Sequence, residues 1–129
     1  MAEAKARERL LASNLPRPMW NPTLRDAATG RFIAVPDGWF DEVGLAWELD
    51  FHEWHLDPED HAQTLARRAA MTAEGIIVVP HTPGRVVHDW PAVCDEIERG
   101  LGQAARRPRP DVIATPAPDS NPTSGTFVG

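Results

Sequence analysis

The chain has little of several residue types on which common functional classes depend. Its 129 residues include one cysteine, Cys94, so neither an internal disulfide nor a zinc site built from cysteines is possible. No apolar run approaches the roughly 18 residues that a helix needs to cross a bilayer, and the N-terminus lacks the apolar core of a signal peptide. These absences predict a soluble, cytoplasmic protein with no membrane partner.

Basic residues are missing from a long central segment. Residues 32–66 hold nine of the nineteen acidic residues and none of the thirteen Lys and Arg. The net charge of −6 argues against a protein that binds nucleic acid by electrostatics alone, because such proteins gain affinity by neutralising phosphates. An enzyme that meets phosphate through a bound metal ion is compatible with this charge. The segment raises the question of what neutralises its acids in the folded protein.

Hydrophobic periodicity predicts an α/β fold in which helices pack against a small central mixed sheet. Residues 1–104 are predicted to form the domain, and residues 105–129, rich in Pro and Arg, a disordered tail. Helices are predicted over residues 2–14, 58–73 and 91–101, and strands over residues 20–24, 31–35, 44–52 and, in the sheet interior, 76–79.

The strand over residues 44–52 is the most clearly patterned element. Apolar side chains alternate with Ala46, Glu48, Asp50 and His52, so Glu48 and Asp50 face the same side, roughly 7 Å apart. If this strand pairs with residues 31–35, Asp37 comes close to Glu48. Three converging anions require either protonation or a cation, and Mg²⁺ suits such carboxylates. A solvated acidic strand face is the equally open alternative.

Asp37, ten intervening residues and then Glu48-Leu49-Asp50 resemble the PD-(D/E)xK nuclease signature. Trp54-His55, the following helix and the strand after Gly75 extend the similarity over about residues 1–101. The chain resembles small restriction-endonuclease-like domains that are related to very short patch repair endonucleases. This resemblance implies a restriction-endonuclease-like three-layer fold, a DNA substrate, and Mg²⁺ or Mn²⁺ as cofactor.

The resemblance also implies a set of site residues. Asp37 and Glu48 would be metal ligands, and Glu3 on the first helix would complete the site, unless Glu3 only pairs with Arg7 four residues on. Asp50 is also assigned to the catalytic set, where it or Glu3 would help Asp37 and Glu48 hold the metal. It stands where the signature has its lysine, and Lys5 is the only lysine in the chain. Histidines take the part of that lysine in the patch repair branch, which assigns His55 as general base or water-orienting group.

Several residues keep two interpretations. Arg67 and Arg68 end the base-free segment, and they either clamp a phosphate or form a solvated helix face. His81 is predicted to be an ordinary surface or helix-cap residue.

The predicted function is Mg²⁺-dependent DNA hydrolysis, and the alternative is a catalytically weakened nuclease fold that binds nucleic acid or protein, for example in a defence or toxin–antitoxin system. DNA preference and oligomeric state do not follow from the sequence.

Overall fold

The structure, a computed structural model, describes residues 2–50 and 57–118. This part of the chain is mixed α/β, which confirms the predicted class. Its elements in chain order are α1 (Ala2–Leu11), β1 (Met19–Trp20), β2 (Thr23–Asp26), β3 (Phe32–Ala34), β4 (Gly38–Phe40), β5 (Leu45–Leu49), α2 (Pro58–Ala73), β6 (Ile77–His81), α3 (Pro83–His88), α4 (Trp90–Ala105) and β7 (Val112–Thr115). No helix in these two ranges is both long and apolar enough to span a membrane.

The strands of the described residues form two small sheets. One has the order β1-β4-β5-β6, and the other has the order β3-β2-β7. β5 and β6 run parallel while the other neighbours are antiparallel, so the first sheet is mixed. β2 and β3 pair as a hairpin. The predicted pairing of residues 31–35 with residues 44–52 is wrong, because β3 and β5 lie in different sheets and β4 takes the place beside β5.

β5 is covered on both faces, and all five of its residues are buried. Leu45, Trp47 and Leu49 belong to a core cluster with residues of α1, α3 and α4. Ala46, on the opposite face, packs in a second cluster with Met71 of α2. The expectation of a solvated acidic face on this strand is therefore wrong, since helices cover the sheet on both sides.

The N-terminal elements differ from their predicted bounds. α1 ends at Leu11, before the predicted end at residue 14, and it buries Ala6 and Leu10 while Leu11 is exposed. The strand predicted over residues 20–24 is divided at Asn21 into β1 and β2, which belong to different sheets.

α2 matches its prediction at both ends. Asp57 accepts a hydrogen bond from the backbone N of Glu59 at 3.0 Å, as an N-cap should. Beyond the last turn, Gly75 takes φ +84°, a left-handed conformation that glycine adopts without strain.

β6 continues through Pro80 to His81 and lies at the edge of its sheet, whereas a strand in the sheet interior that ends at Pro80 was predicted. An edge strand tolerates proline because one of its sides needs no backbone donor. α3 was not predicted, and α4 is longer than predicted.

The predicted tail begins too early. β7 pairs with β2 along four residues, so this part of residues 105–129 belongs to the fold. Pro110, just before β7, packs directly against Gly44, since a Cβ at position 44 would lie 2.6 Å from Pro110 Cδ. Residues 119–129 lie outside the described ranges.

Candidate functional site

Asp37, the residue before β4, lies beside Glu48 of β5. Gly38 of β4 is the register partner of Trp47 in β5, which places Asp37 opposite Glu48. The backbone N of Asp37 donates to Glu48 Oε2 at 3.3 Å. The backbone N of Leu49 donates to Asp37 Oδ2 at 2.8 Å. The expected proximity of the two carboxylates is present, although β4 rather than β3 produces it.

Glu48 is neutralised by an arginine of α2. Its side chain is fully buried, and Oε1 accepts hydrogen bonds from Arg67 Nε at 3.0 Å and Arg67 Nη2 at 2.7 Å. Both bonds end on Oε1, which leaves Oε2 to accept from the backbone N of Asp37. Arg67 is the first basic residue after the acidic segment, and its guanidinium group neutralises the negative charge of Glu48.

Arg68 links the two carboxylates of the E-x-D sequence. Its Nε lies 3.8 Å from Glu48 Oε1 and its Nη2 lies 3.4 Å from Asp50 Oδ2. Both nitrogens are buried, yet neither donates a hydrogen bond within the described residues. Buried donors without a hydrogen bond are rare, and these two face carboxylates at ion-pair distance instead.

The side-chain carboxyl group of Asp37 has a raised pKa. Burial raises the pKa of Asp37 to about 6, while the hydrogen bond from Leu49 opposes this rise and the negative charge of Glu48 adds to it. The positive charge of Arg67 lowers the pKa of Asp37 and the negative charge of Glu3 raises it further. This carboxyl group therefore keeps its proton to a higher pH than an exposed aspartate does.

Glu3 reaches the rim of this cluster from α1. Its Oε2 accepts from Arg7 Nη2 at 2.7 Å, the pair expected from their spacing, and also from Asn21 Nδ2 at 3.0 Å. The side chain of Glu3 is 38% exposed. Asn21 was not among the predicted site residues. Its position between β1 and β2 is the only feature that places it near Glu3.

His55 lies outside the described residues, as do Trp54 and His52. Within residues 2–50 and 57–118, no group of three or more His, Cys, Asp or Glu side chains is arranged to hold a metal ion.

The two central carboxylates have the oxygen atoms that a hard cation needs. Within the described residues Asp37 Oδ1 accepts no hydrogen bond, and Glu48 Oε2 accepts one, from the Asp37 backbone. A carboxylate oxygen has two lone pairs, so each of these atoms retains the capacity to bind a cation. Mg²⁺ commonly takes one or two carboxylates and completes its shell with water and substrate phosphate. The two carboxylates therefore offer oxygen ligands of the kind that one such ion takes.

His81 is buried on the opposite face of the sheet, and its prediction as a surface residue is wrong. Trp47 Nε1 donates to His81 Nδ1 at 2.9 Å, and His81 Nε2 lies 2.7 Å from Glu96 Oε1. Because the indole N–H can only donate, Nδ1 is the acceptor and Nε2 carries the proton. Ile77, Val79 and His81 share the period of a strand, which is the sequence signal for this burial.

Burial lowers the pKa of His81, although its hydrogen bond to Glu96 acts against this shift. Hydrogen bonds from Arg85 and then from His81 lower the pKa of Glu96 to about 2. The imidazole is thus neutral at neutral pH. It links β5, β6 and α4 through directed hydrogen bonds.

His81→Leu is expected to lower the free energy of unfolding by about 2 kcal/mol at pH 7.5, because the buried N–H of Trp47 loses its acceptor. Urea denaturation measures this loss. His88→Leu is the matched control, since His88 is exposed on α3 and its replacement is expected to change stability by less than about 0.5 kcal/mol. Equal losses in the two variants would contradict the role of the Trp47–His81 bond.

Comparisons with protein-family models, curated proteins and solved structures find no match for this chain. The class defined by the described residues is mixed α/β with two small sheets and four helices. The resemblance to restriction-endonuclease-like domains stays a prediction.

Proposed function

We propose that the chain is a divalent-metal-dependent DNA endonuclease of the restriction-endonuclease-like class, acting at the pair Asp37 and Glu48. The observation that carries this proposal is that the half-buried Asp37, with a pKa raised to about 6, lies against the fully buried carboxylate of Glu48, which accepts from the Asp37 backbone. Two adjacent acids in low dielectric cost stability unless a proton or a cation accompanies them. A divalent cation would compensate the charge of the two acids and would activate a water molecule for phosphodiester hydrolysis.

Asp37 Oδ1 and Glu48 Oε2 would hold the ion. Bound Mg²⁺ polarises a phosphoryl oxygen and lowers the pKa of a coordinated water. The Arg67 pair holds Glu48 in the orientation that this role requires. Arg68, with buried N–H groups that make no hydrogen bond in the described part of the chain, would donate to a phosphate oxygen. By the resemblance, His55 would orient or deprotonate the attacking water.

A specific observation also favours the second candidate function, a weakened nuclease fold that serves as an interaction module. The ion pair with Arg67 neutralises Glu48 without a metal ion. Asp50, at the position of the usual lysine, pairs with Arg68 and has no positive charge to offer the attacking water. On this alternative, the acids and arginines preserve the fold rather than catalyse hydrolysis.

A metal titration distinguishes the candidates. Mg²⁺ or Mn²⁺ is expected to raise the Tm of the wild type, since a ligand at one hundred times its Kd stabilises by about 2.7 kcal/mol. Asp37→Asn is expected to remove most of this shift, measured against the metal-free form of the same variant. Asp95→Asn, which alters an exposed acid of α4, is the control and should keep the full shift. The metal site is rejected if Asp37→Asn and Asp95→Asn respond alike.

Hydrolysis itself is tested by nicking of supercoiled plasmid DNA in Mn²⁺. Glu48→Gln is expected to lower the nicking rate at least about 100-fold, because it removes a charge that would hold the ion. Equal rates for variant and parent would overturn the assignment of Glu48. Metal binding by a wild type that does not nick DNA would favour the interaction module.

A further inference from the structure

A cavity of about 540 Å³ lies where β4 ends and the turn to β5 begins. The candidate metal site lies at the other end of β4, because Asp37 precedes this strand. Three separate parts of the chain line the cavity: the segment that leads into β1, the turn after β4, and the last turns of α4. Proteins commonly bind small molecules in concave places of roughly 300–1,000 Å³. The volume is therefore suited to a ligand.

The walls of the cavity are largely apolar. Met19, Phe40, Val43 and Leu101 contribute side chains without a strong hydrogen-bonding group. A polar ligand body placed against such walls would lose its hydrogen bonds to water and gain none in return. The walls therefore favour an apolar body.

Two arginines at this cavity have no partner in the described part of the chain. Ten of the twelve arginines of the sequence lie against a carboxylate or carbonyl oxygen at hydrogen-bond or ion-pair distance. The other two are Arg17, which lines the cavity, and Arg106, whose Nη1 would lie 3.6 Å from a Cβ on the lining residue Gly102. Both are exposed. Two guanidinium groups without a carboxylate beside one cavity indicate a place for an anionic group.

The acidic residues of the lining do not cancel this charge. Asp41 Oδ1 accepts from Trp39 Nε1 at 2.8 Å and from Arg109 Nη2 at 2.8 Å, so Asp41 is already compensated. Glu42 is exposed and forms no ion pair within residues 2–50 and 57–118. The two guanidinium groups thus exceed the single uncompensated carboxylate by one charge, which suits a ligand with one negative charge.

We propose that this cavity binds a small molecule with an apolar body and one carboxylate group, and that Arg17 and Arg106 hold the carboxylate at the cavity mouth. A guanidinium group matches the planar geometry of a carboxylate. Pro16 and Pro18 flank Arg17 and restrict its backbone, which reduces the entropy lost when the side chain is fixed. The site is independent of the hydrolysis proposed for the other end of β4.

Octanoate is the probe for this site, and octan-1-ol and octylammonium are its matched controls, because they keep the apolar chain and lack the negative charge. NMR titration of the full chain measures the Kd values. The wild type is expected to bind octanoate saturably, at least about threefold more tightly than either control. Octan-1-ol binding as tight as that of octanoate would overturn the carboxylate assignment. Absence of saturable octanoate binding would overturn the site itself.

Substitution of the two arginines tests their role as anchors. Arg17→Gln and Arg106→Gln are each expected to weaken octanoate binding about threefold, and the double variant about tenfold, with octan-1-ol binding unchanged. Arg25→Gln, the same change at an exposed arginine of β2 in the other sheet, is the control and should bind octanoate as the wild type does. A double variant that binds octanoate as tightly as Arg25→Gln does would refute the anchoring role.

Ala105→Trp tests the location of the site. Ala105 lines the cavity from α4 and is exposed, so a larger side chain there occupies the cavity without entering the core. Octanoate binding is expected to weaken at least about tenfold while the Tm stays close to that of the wild type. Ala69→Trp, at an exposed position of α2, is the control and should keep the wild-type Kd. Equal octanoate affinities in the two tryptophan variants would place the ligand elsewhere.

Discussion

Arg67→Met is expected to lower the free energy of unfolding by about 3 kcal/mol, because the buried carboxylate of Glu48 loses both hydrogen bonds to Oε1 and keeps only the longer contact with Arg68 as an ion pair. Glu48 is 0% exposed, whereas the side chain of Arg67 is 32% exposed. This partial exposure places the expected loss at the lower end of the range for broken buried pairs. In thermal denaturation the loss corresponds to a fall in Tm of roughly 10 °C.

Two further variants make the measurement specific to the pair. Arg99→Met removes an arginine whose side chain is 76% exposed and which pairs with Asp95 on the same helix, so its effect should stay under about 0.5 kcal/mol. The double variant with Glu48→Gln is expected to recover part of the stability lost in Arg67→Met, because the buried site is then neutral. An Arg67→Met protein as stable as Arg99→Met would show that Glu48 does not depend on this partner.

The Arg67→Met variant also distinguishes the two candidate functions. Arg67 and a bound cation both neutralise the charge of Glu48. If Glu48 is a metal ligand, Mn²⁺ should raise the Tm of Arg67→Met by more than it raises the Tm of the wild type. If the acids only preserve the fold of an interaction module, Mn²⁺ should leave both values unchanged.

Asp37→Asn is expected to stabilise the metal-free protein at neutral pH by about 2 kcal/mol. Burial raises the pKa of Asp37 from its ordinary value of 3.8 to about 6 in the folded protein. Between these values the unfolded chain has released the proton that the folded protein still holds. Stability therefore falls as pH rises from about 4 to about 6, and above this window the full cost is present. Asparagine has no such cost, and its amide oxygen can still accept from Leu49.

Urea denaturation of both proteins at a series of pH values from 4 to 8 measures this effect. The difference in unfolding free energy between Asp37→Asn and the wild type should grow across the window and then stay constant. His81 and the other titrating groups contribute equally to both proteins and cancel in the difference. A difference that is independent of pH would contradict the raised pKa of Asp37.

Local patterns were sufficient for several elements. The cap at Asp57 and the glycine at position 75 predicted both ends of α2 because helix termini depend on adjacent residues. The alternation around Trp47 predicted β5 and its buried side. Asp37 was expected beside Glu48 from a pairing of residues 31–35 with residues 44–52, and the two residues do lie together, but β4 brings them there.

Other features depend on residues that are distant in the sequence. β4 is too short to show a period, and it exists because its backbone pairs with β1 and β5. β7 lies in a segment whose composition is typical of a disordered tail, and pairing with β2 orders it. His81 is buried because α4 brings Glu96 to it.

By itself the sequence determined the α/β class, the acidic strand and the position of two carboxylates on one face, because periodicity and turn residues act over a few residues. Only the tertiary structure decided how these acids are neutralised. Arg67 lies nineteen residues after Glu48, and helix packing rather than any local pattern places it against the buried carboxylate. The cost of burying a charge is a property of the folded environment, which no short stretch of sequence contains.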